Sequence, residues 1–309
     1  MSTQTPAAPD AVLKPRDLGQ ILDQNFKVFG RSWRSLLPVG LIAAIPGLLM
    51  SILMLWLSPD LAAGSFDNPL IRMLAAAEWG DYSGLIALGW GVAVFVIVLL
   101  LLFPLYQGAL IDVSARAVLH MEPVPLSESF RVGAVRYWPM LGAYVLLALL
   151  WIGAIPALIL AGLVVLSWIT LPLGLVALAT FTVFTGHAVI IEQLGPAGAL
   201  KRSFSLVKTR FWPLLGTGIV YYLLSTVVSY IVAFPFSFVA GIAAAATESF
   251  VPFALTSLME GLVGAIITPF MAVGLTLVYF DTRIRTEGYD LEVMAAQQAV
   301  AADPAEFRP

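Results

Sequence analysis

Between Tyr137 and Ile191 the chain runs for 55 residues without one Asp, Glu, Lys or Arg. The hydrocarbon core of a bilayer is about 30 Å thick and takes about 20 apolar helical residues to cross. The run is too long for one crossing and suits two, which we place at residues 137–164 and 171–191, with the break around 167–172. The same length criterion gives four more spans, at residues 35–57, 84–111, 212–234 and 258–280. Pro46 and Pro269 are expected to kink the first and the sixth, and Pro235 to bend or end the fifth. Composition agrees, with 60% hydrophobic and 11% charged residues, against about 25% charged in a soluble domain. The chain has no cysteine, which excludes disulfides and thiolate metal sites. The expected fold class is all-α, an integral membrane bundle of six transmembrane helices.

A second pattern overlies these spans. Residues 126–150, LSESFRVGAVRYWPMLGAYVLLALL, return 74 residues later at 200–224 as LKRSFSLVKTRFWPLLGTGIVYYLL, with ten of 25 positions identical. Ser129 pairs with Ser203, Arg136 with Arg210, Trp138 with Trp212 and Pro139 with Pro213. A weaker copy holds Arg31, Trp33 and Leu36 at the same spacing. In each copy a helix with one apolar face precedes a span. In the clearest, Leu200, Phe204, Val207 and Phe211 share one face while Lys201, Ser205 and Lys208 share another, a pattern suited to a helix lying in the membrane interface. We therefore expect three tandem repeats of an interfacial amphipathic helix plus a two-span hairpin, at about residues 17–120, 121–195 and 196–288. They make up a membrane domain over residues 16–300, and residues 1–15 and 301–309 read as disordered tails.

The charges between the spans are sorted by side. With six spans, 15 of the 16 basic residues fall on the side of the termini, and Arg72 alone falls on the other. The positive-inside rule then places both termini and the three interfacial helices in the cytoplasm. The first 15 residues lack the apolar core of a signal peptide, so targeting is expected to come from the first span.

At Val278-Tyr-Phe-Asp-Thr-Arg-Ile-Arg-Thr-Glu-Gly-Tyr-Asp-Leu-Glu292, and again over residues 199–212, the chain resembles a bacterial family named for the membrane domain of glycerophosphoryl diester phosphodiesterases. The resemblance covers most of residues 16–292. It implies a stand-alone domain of the bacterial inner membrane. In some members the domain precedes a soluble catalytic barrel, but only 17 residues follow Glu292 here, against about 250 for a barrel. The phosphodiesterase activity is therefore not expected.

The candidate functional residues fall into three groups. Arg31, Trp33, Arg136, Trp138, Lys201, Arg202, Lys208, Arg210 and Trp212 are candidate interfacial anchors that meet anionic lipid headgroups or simply set helix depth. His187, Tyr221, Tyr222, Ser225, Ser229 and Glu260 form a possible intramembrane polar site. Polar side chains in a span join helices or line a cavity, and an ionisable one is a functional candidate. Yet Glu260 lies 21 residues before Asp281, about 31 Å along a helix, which puts it at the outer boundary. A lone His187 most simply hydrogen-bonds a neighbouring helix. Asp281, Arg283, Arg285 and Glu287 form a membrane-exit motif, with Asp281–Arg285 and Asp112–Arg116 as exposed i,i+4 pairs.

No phosphate-binding loop, nucleophile elbow, metal-ligand spacing or nucleic-acid-binding face is found. The expected protein is a non-enzymatic, multi-pass inner-membrane protein without cofactor or metal. It is expected to work through contact with membrane lipids or as a scaffold or accessory protein for other membrane proteins. The alternative is a transporter or flippase with a path between the hairpins.

Overall fold

The structure, a computed structural model, describes residues 15–57, 74, 76–119, 125–162, 167–247 and 251–288. The two tails, most of the 58–75 connection, the 120–124 turn with His120, and residues 289–300, where a short helix was expected, lie outside the described residues. Within them the chain is all-helical: α1 (Leu18–Leu57), α2 (Ser83–Val118), α3 (Leu126–Val135), α4 (Tyr137–Ala161), α5 (Ser167–Thr182), α6 (Thr185–Ile190), α7 (Pro196–Lys208), α8 (Phe211–Thr247) and α9 (Val251–Glu287). Helix is what a run of Leu, Val and Ala must form in lipid, because each backbone N–H and C=O then finds its partner within the segment. Six helical segments are long and apolar enough to cross a membrane: those in α1, α2, α4, α5 with α6, α8 and α9.

The structure changes three element boundaries. The expected interfacial helix at 17–29 and the first span are one continuous helix, α1, which runs through Arg31, Pro38 and Pro46. Of the two outcomes expected at Pro235, a bend or an end, the helix does not end there, since α8 continues through it to Thr247. The fourth span is broken at Val183–Phe184, between α5 and α6. Gly288 follows α9 with φ of 66°, and its N–H donates to Ile284 O.

The two aligned segments, in contrast, fold alike. α3 is separated from α4 by Arg136 alone, and α7 from α8 by Thr209 and Arg210. The matched serines are both fully buried. Ser129 donates to Asp112 Oδ2 at 2.8 Å. Ser203 donates to Phe181 O at 2.7 Å and accepts from the Phe184 N–H at 3.1 Å. Each short helix is thus tied to the span that precedes it.

α9 is the hub. It packs along α1 and α8, and also meets α2 and α7. The buried core lies at one end of the bundle, around Val28, Leu36, Leu110, Phe184, Leu206 and Tyr279. A smaller cluster around Met140, Ala143, Ala188 and Val189 seats α4 on α6 and α7. Towards the other end the helices turn apolar side chains outward, among them Trp90, Val94, Ile97 and Leu101 of α2 and Val227, Ile231, Phe234 and Phe238 of α8. A soluble monomer rarely exposes an apolar patch larger than a few hundred Å², whereas lipid tails solvate such a surface.

Lipid, however, supplies no hydrophobic force between helices, so association rests on close packing. A Cβ on Gly40 of α1 would stand 2.0 Å from Ala265 O of α9, and one on Gly133 of α3 would stand 2.5 Å from Leu105 O of α2. Both glycines allow backbone-to-backbone contact. Gly40→Ala is expected to destabilise the detergent-solubilised protein by about 1–3 kcal/mol through overpacking. Gly153, with open space around it, is the control: Gly153→Ala raises stability by up to ~1 kcal/mol through helix propensity. Thermal melts of the two variants check this, and equal melting temperatures would contradict the contact.

Candidate functional site

The charged end of the bundle carries a collar of ion pairs. Arg202, on α7, donates through Nε to Glu192 Oε2 at 2.7 Å and through Nη2 to Glu287 Oε2 at 2.7 Å. Arg283 Nε lies 3.7 Å from Glu192 Oε1 and 3.3 Å from Glu287 Oε2. The Tyr279 hydroxyl also donates to Glu192. Asp281, its side chain only 7% exposed, accepts from Arg285 Nε at 3.0 Å, Arg210 Nη1 at 3.3 Å and the backbone N–H of Arg16 at 2.8 Å. Arg285 Nη2 returns a bond to Arg16 O.

The exit motif is therefore not a set of exposed i,i+4 pairs. All four of its residues lock the end of α9 to the α6–α7 turn, α7, the start of α8 and the N-terminal segment. The Glu287 hydrogen bond holds the Arg202 guanidinium above its ordinary value, against the opposing effect of burial. Burial, with Arg285 nearby, lowers that of Arg210. Arginine stays charged in either case, so the collar has a fixed charge pattern. Asp112–Arg116 is likewise embedded, with Ser129 on Asp112 and Glu128 3.8 Å from Arg116.

The candidate anchors thus divide. Arg202 and Arg210 are committed to carboxylates, and Arg31 Nη2 donates to Ala117 O at 2.8 Å, joining α1 to α2. Arg136 donates to Gln193, a residue with φ of 56° in the tight α6–α7 turn. Lys201 and Lys208 point outward, as do Trp138 at 75% and Trp212 at 77% exposure. Trp33 is less exposed and lies beneath the guanidinium of Arg34.

Beside the collar, deeper in the bundle, lies a cavity of about 760 Å³ bounded by α2, α4, α5, α6, α8 and α9. On α9 its lining runs from Ile267 to Val278, about 5–21 Å from Asp281 at 1.5 Å per residue. The cavity therefore begins near the charged end and reaches past the middle of a hydrocarbon core about 30 Å thick. Its walls are mainly apolar, with Leu110, Leu147, Leu215, Met271 and Leu275 among them. Among the described residues no Asp, Glu, Lys or Arg lines it. Exposed lining residues, Val176 and Ala179 on α5 and Ile219 and Tyr222 on α8, mark its mouth.

Of the expected intramembrane polar residues, His187, Tyr221 and Tyr222 meet at this cavity. Glu260 is exposed and elsewhere on α9, Ser225 donates to Tyr222 O, and Ser229 is outside the lining. Tyr221 lies over Gly274, where a Cβ would come within 2.3 Å of its ring, so the glycine gives that ring its place. Gln107 and Tyr144 also line the cavity and were missed by the sequence reading. Their signal was weak: one amide in the second span and one phenol in the third. Thr180 and Thr217 line it too, but their hydroxyls donate to the carbonyls of Val176 and Pro213 four residues back. Among the described residues no group of three or more His, Asp or Glu is placed to hold a metal ion.

Six helical segments long and apolar enough to cross a membrane, with an outward apolar surface and a charged collar at one end, mark an α-helical membrane protein. A model of a domain of unknown function (DUF7847) matches residues 26–282, and the chain belongs to that family. Comparison with curated proteins and with solved structures gives no match.

The division of the anchors has a measurable consequence. Arg202→Gln removes one of the partners of two partly buried carboxylates and is expected to cost about 1–3 kcal/mol of stability, discounted for their partial exposure and for the Arg283 that remains. Lys201→Gln with Lys208→Gln should leave melting unchanged and weaken affinity for anionic vesicles, by about 1 kcal/mol per lysine. Melting and vesicle co-sedimentation of both proteins check this; the reverse pattern would show Arg202 to be the lipid contact.

Proposed function

We propose that the protein is a non-enzymatic, multi-pass protein of the inner (cytoplasmic) membrane that binds a membrane lipid or another amphiphile. The observation that carries this reading is the cavity. At about 760 Å³ it falls within the roughly 300–1,000 Å³ of small-ligand sites. It is mainly apolar, uncharged, and has its mouth among side chains that face lipid. An amphiphile would enter from the leaflet beside the collar without crossing water.

The sorting of 15 basic residues to one side supports an orientation with both termini and the collar in the cytoplasm. The matched folding of the α3–α4 and α7–α8 segments supports two of the three expected repeats. The continuity of α1 leaves the first copy without the break at its arginine. The resemblance to the phosphodiesterase membrane domain favours a membrane role without catalysis, although the family match carries no link to that domain. Transport or flipping is the second reading. It draws on the placement of the cavity between helices of different hairpins, and it requires a route to the opposite leaflet. Lys201 and Lys208 suit contact with anionic headgroups outside the cavity, and a scaffolding role would use the outward apolar faces.

Native mass spectrometry of the purified protein tests the leading reading. The wild type is expected to carry a bound lipid or amphiphile that is lost in Ala179→Trp, which plugs the mouth, with an unchanged melting temperature. Equal retention by the two proteins, or none by the wild type, would refute it.

A further inference from the structure

His187 fixes what kind of head group the cavity takes. The residue is 3% exposed, and its ring is held by Tyr279, stacked at 5.3 Å, and by the edge of Phe184. Nε2 lies 3.2 Å from Thr276 Oγ1. A threonine hydroxyl has one proton to donate, and Thr276 gives it to Ala272 O at 2.8 Å. Towards His187 the hydroxyl can therefore only accept, so Nε2 carries the ring proton. Nδ1 is left as a bare lone pair. It is buried and has no hydrogen-bond partner. His187 is among the lining residues and Thr276 is not.

A buried acceptor of this kind calls for a donor. The surroundings restrict what the donor belongs to. Gly186, adjacent in the chain, also lines the cavity, and a Cβ there would come within 3.2 Å of the Tyr144 hydroxyl. Gln107 lines the same cavity from α2. These groups are polar and neutral, and a charged head would be desolvated there without a counter-charge. Glu192, Asp281 and Glu287 are already paired with Arg202, Arg210, Arg283 and Arg285 in the collar.

Resting on the reading of the cavity as an amphiphile site, we propose that its ligand is a neutral amphiphile with a hydroxyl head. The hydroxyl donates to Nδ1 of His187, and the tail runs along the apolar walls towards the mouth between α5 and α8.

The full-length protein, labelled with ¹⁵N-histidine in phosphatidylcholine nanodiscs, tests this with three probes of equal tail length: 1-tetradecanol, 1-methoxytetradecane and tetradecyl sulfate. The chain has two histidines, and His120→Gln assigns their resonances. Tetradecanol is expected to move the Nδ1 resonance of His187 from that of an unbonded nitrogen to that of a hydrogen-bonded one. It should also be retained about tenfold more tightly than the ether, the effect of one net hydrogen bond. His187→Phe should abolish that preference while both neutral probes still bind. Because the resonance is read on the unmutated site, the test survives a variant that folds poorly.

Equal retention of alcohol and ether with no change at Nδ1 would overturn the assignment and leave the cavity reading standing. An Nδ1 already bonded before any probe is added, and unmoved by the alcohol, would assign that position to resident water and overturn it likewise. Sulfate retained as tightly as the alcohol would overturn the neutral head group. Failure of every probe to bind the wild type would remove the cavity reading itself.

Discussion

Close packing around α9 is the constraint on which the rest of this protein depends. In lipid the helices gain nothing by hiding apolar surface, so they must be held by contact geometry and by polar bonds at their ends. Gly40 lets the backbones of α1 and α9 touch, and Gly274 admits the Tyr221 ring between α8 and α9. The collar then ties the end of α9 to segments distant in sequence. These are Glu192 and Arg202 at the α6–α7 turn, Arg210 at the start of α8, and Arg16 at the N-terminus. The helices are therefore closely packed and buried at the charged end and present apolar surface to lipid towards the other.

That arrangement also shapes the cavity. α8 leans on α9 through Tyr221, while α4 is seated on α6 and α7 by a separate small core and α5 lies against α4 and α7. The space between these two groups is not filled. Nearby charges are engaged outside it: Glu192, Arg283 and Asp281 in the collar, and Asp112 with Arg116 and Ser129. A mainly apolar chamber next to a charged rim is the result.

Much of this was legible in the residues. The spans could be read because hydropathy is local: about 20 apolar residues in a row can do little else. The α3–α4 and α7–α8 segments could be matched by identity at Ser129 and Ser203 or Trp138 and Trp212, and these residues occupy matched environments. Boundaries were less legible. Pro235 lies inside α8, where lipid offers the backbone no alternative partner to helix, and no break separates the amphipathic start of α1 from its span.

The residue pattern by itself determined that the chain is helical, how many segments are long enough to cross a membrane, and where the basic residues gather. Each of these depends on composition within a single stretch. Only the tertiary structure decided which arginines are available. Arg202 and Glu287 are 85 positions apart, and Arg16 and Asp281 are 265 apart, distances over which no local pattern carries information. It likewise decided that His187, rather than Glu260, meets Tyr221 and Tyr222. Whether a polar side chain in a span faces lipid, a neighbouring helix or a cavity depends on how the helices are rotated against one another, and packing between them sets that rotation.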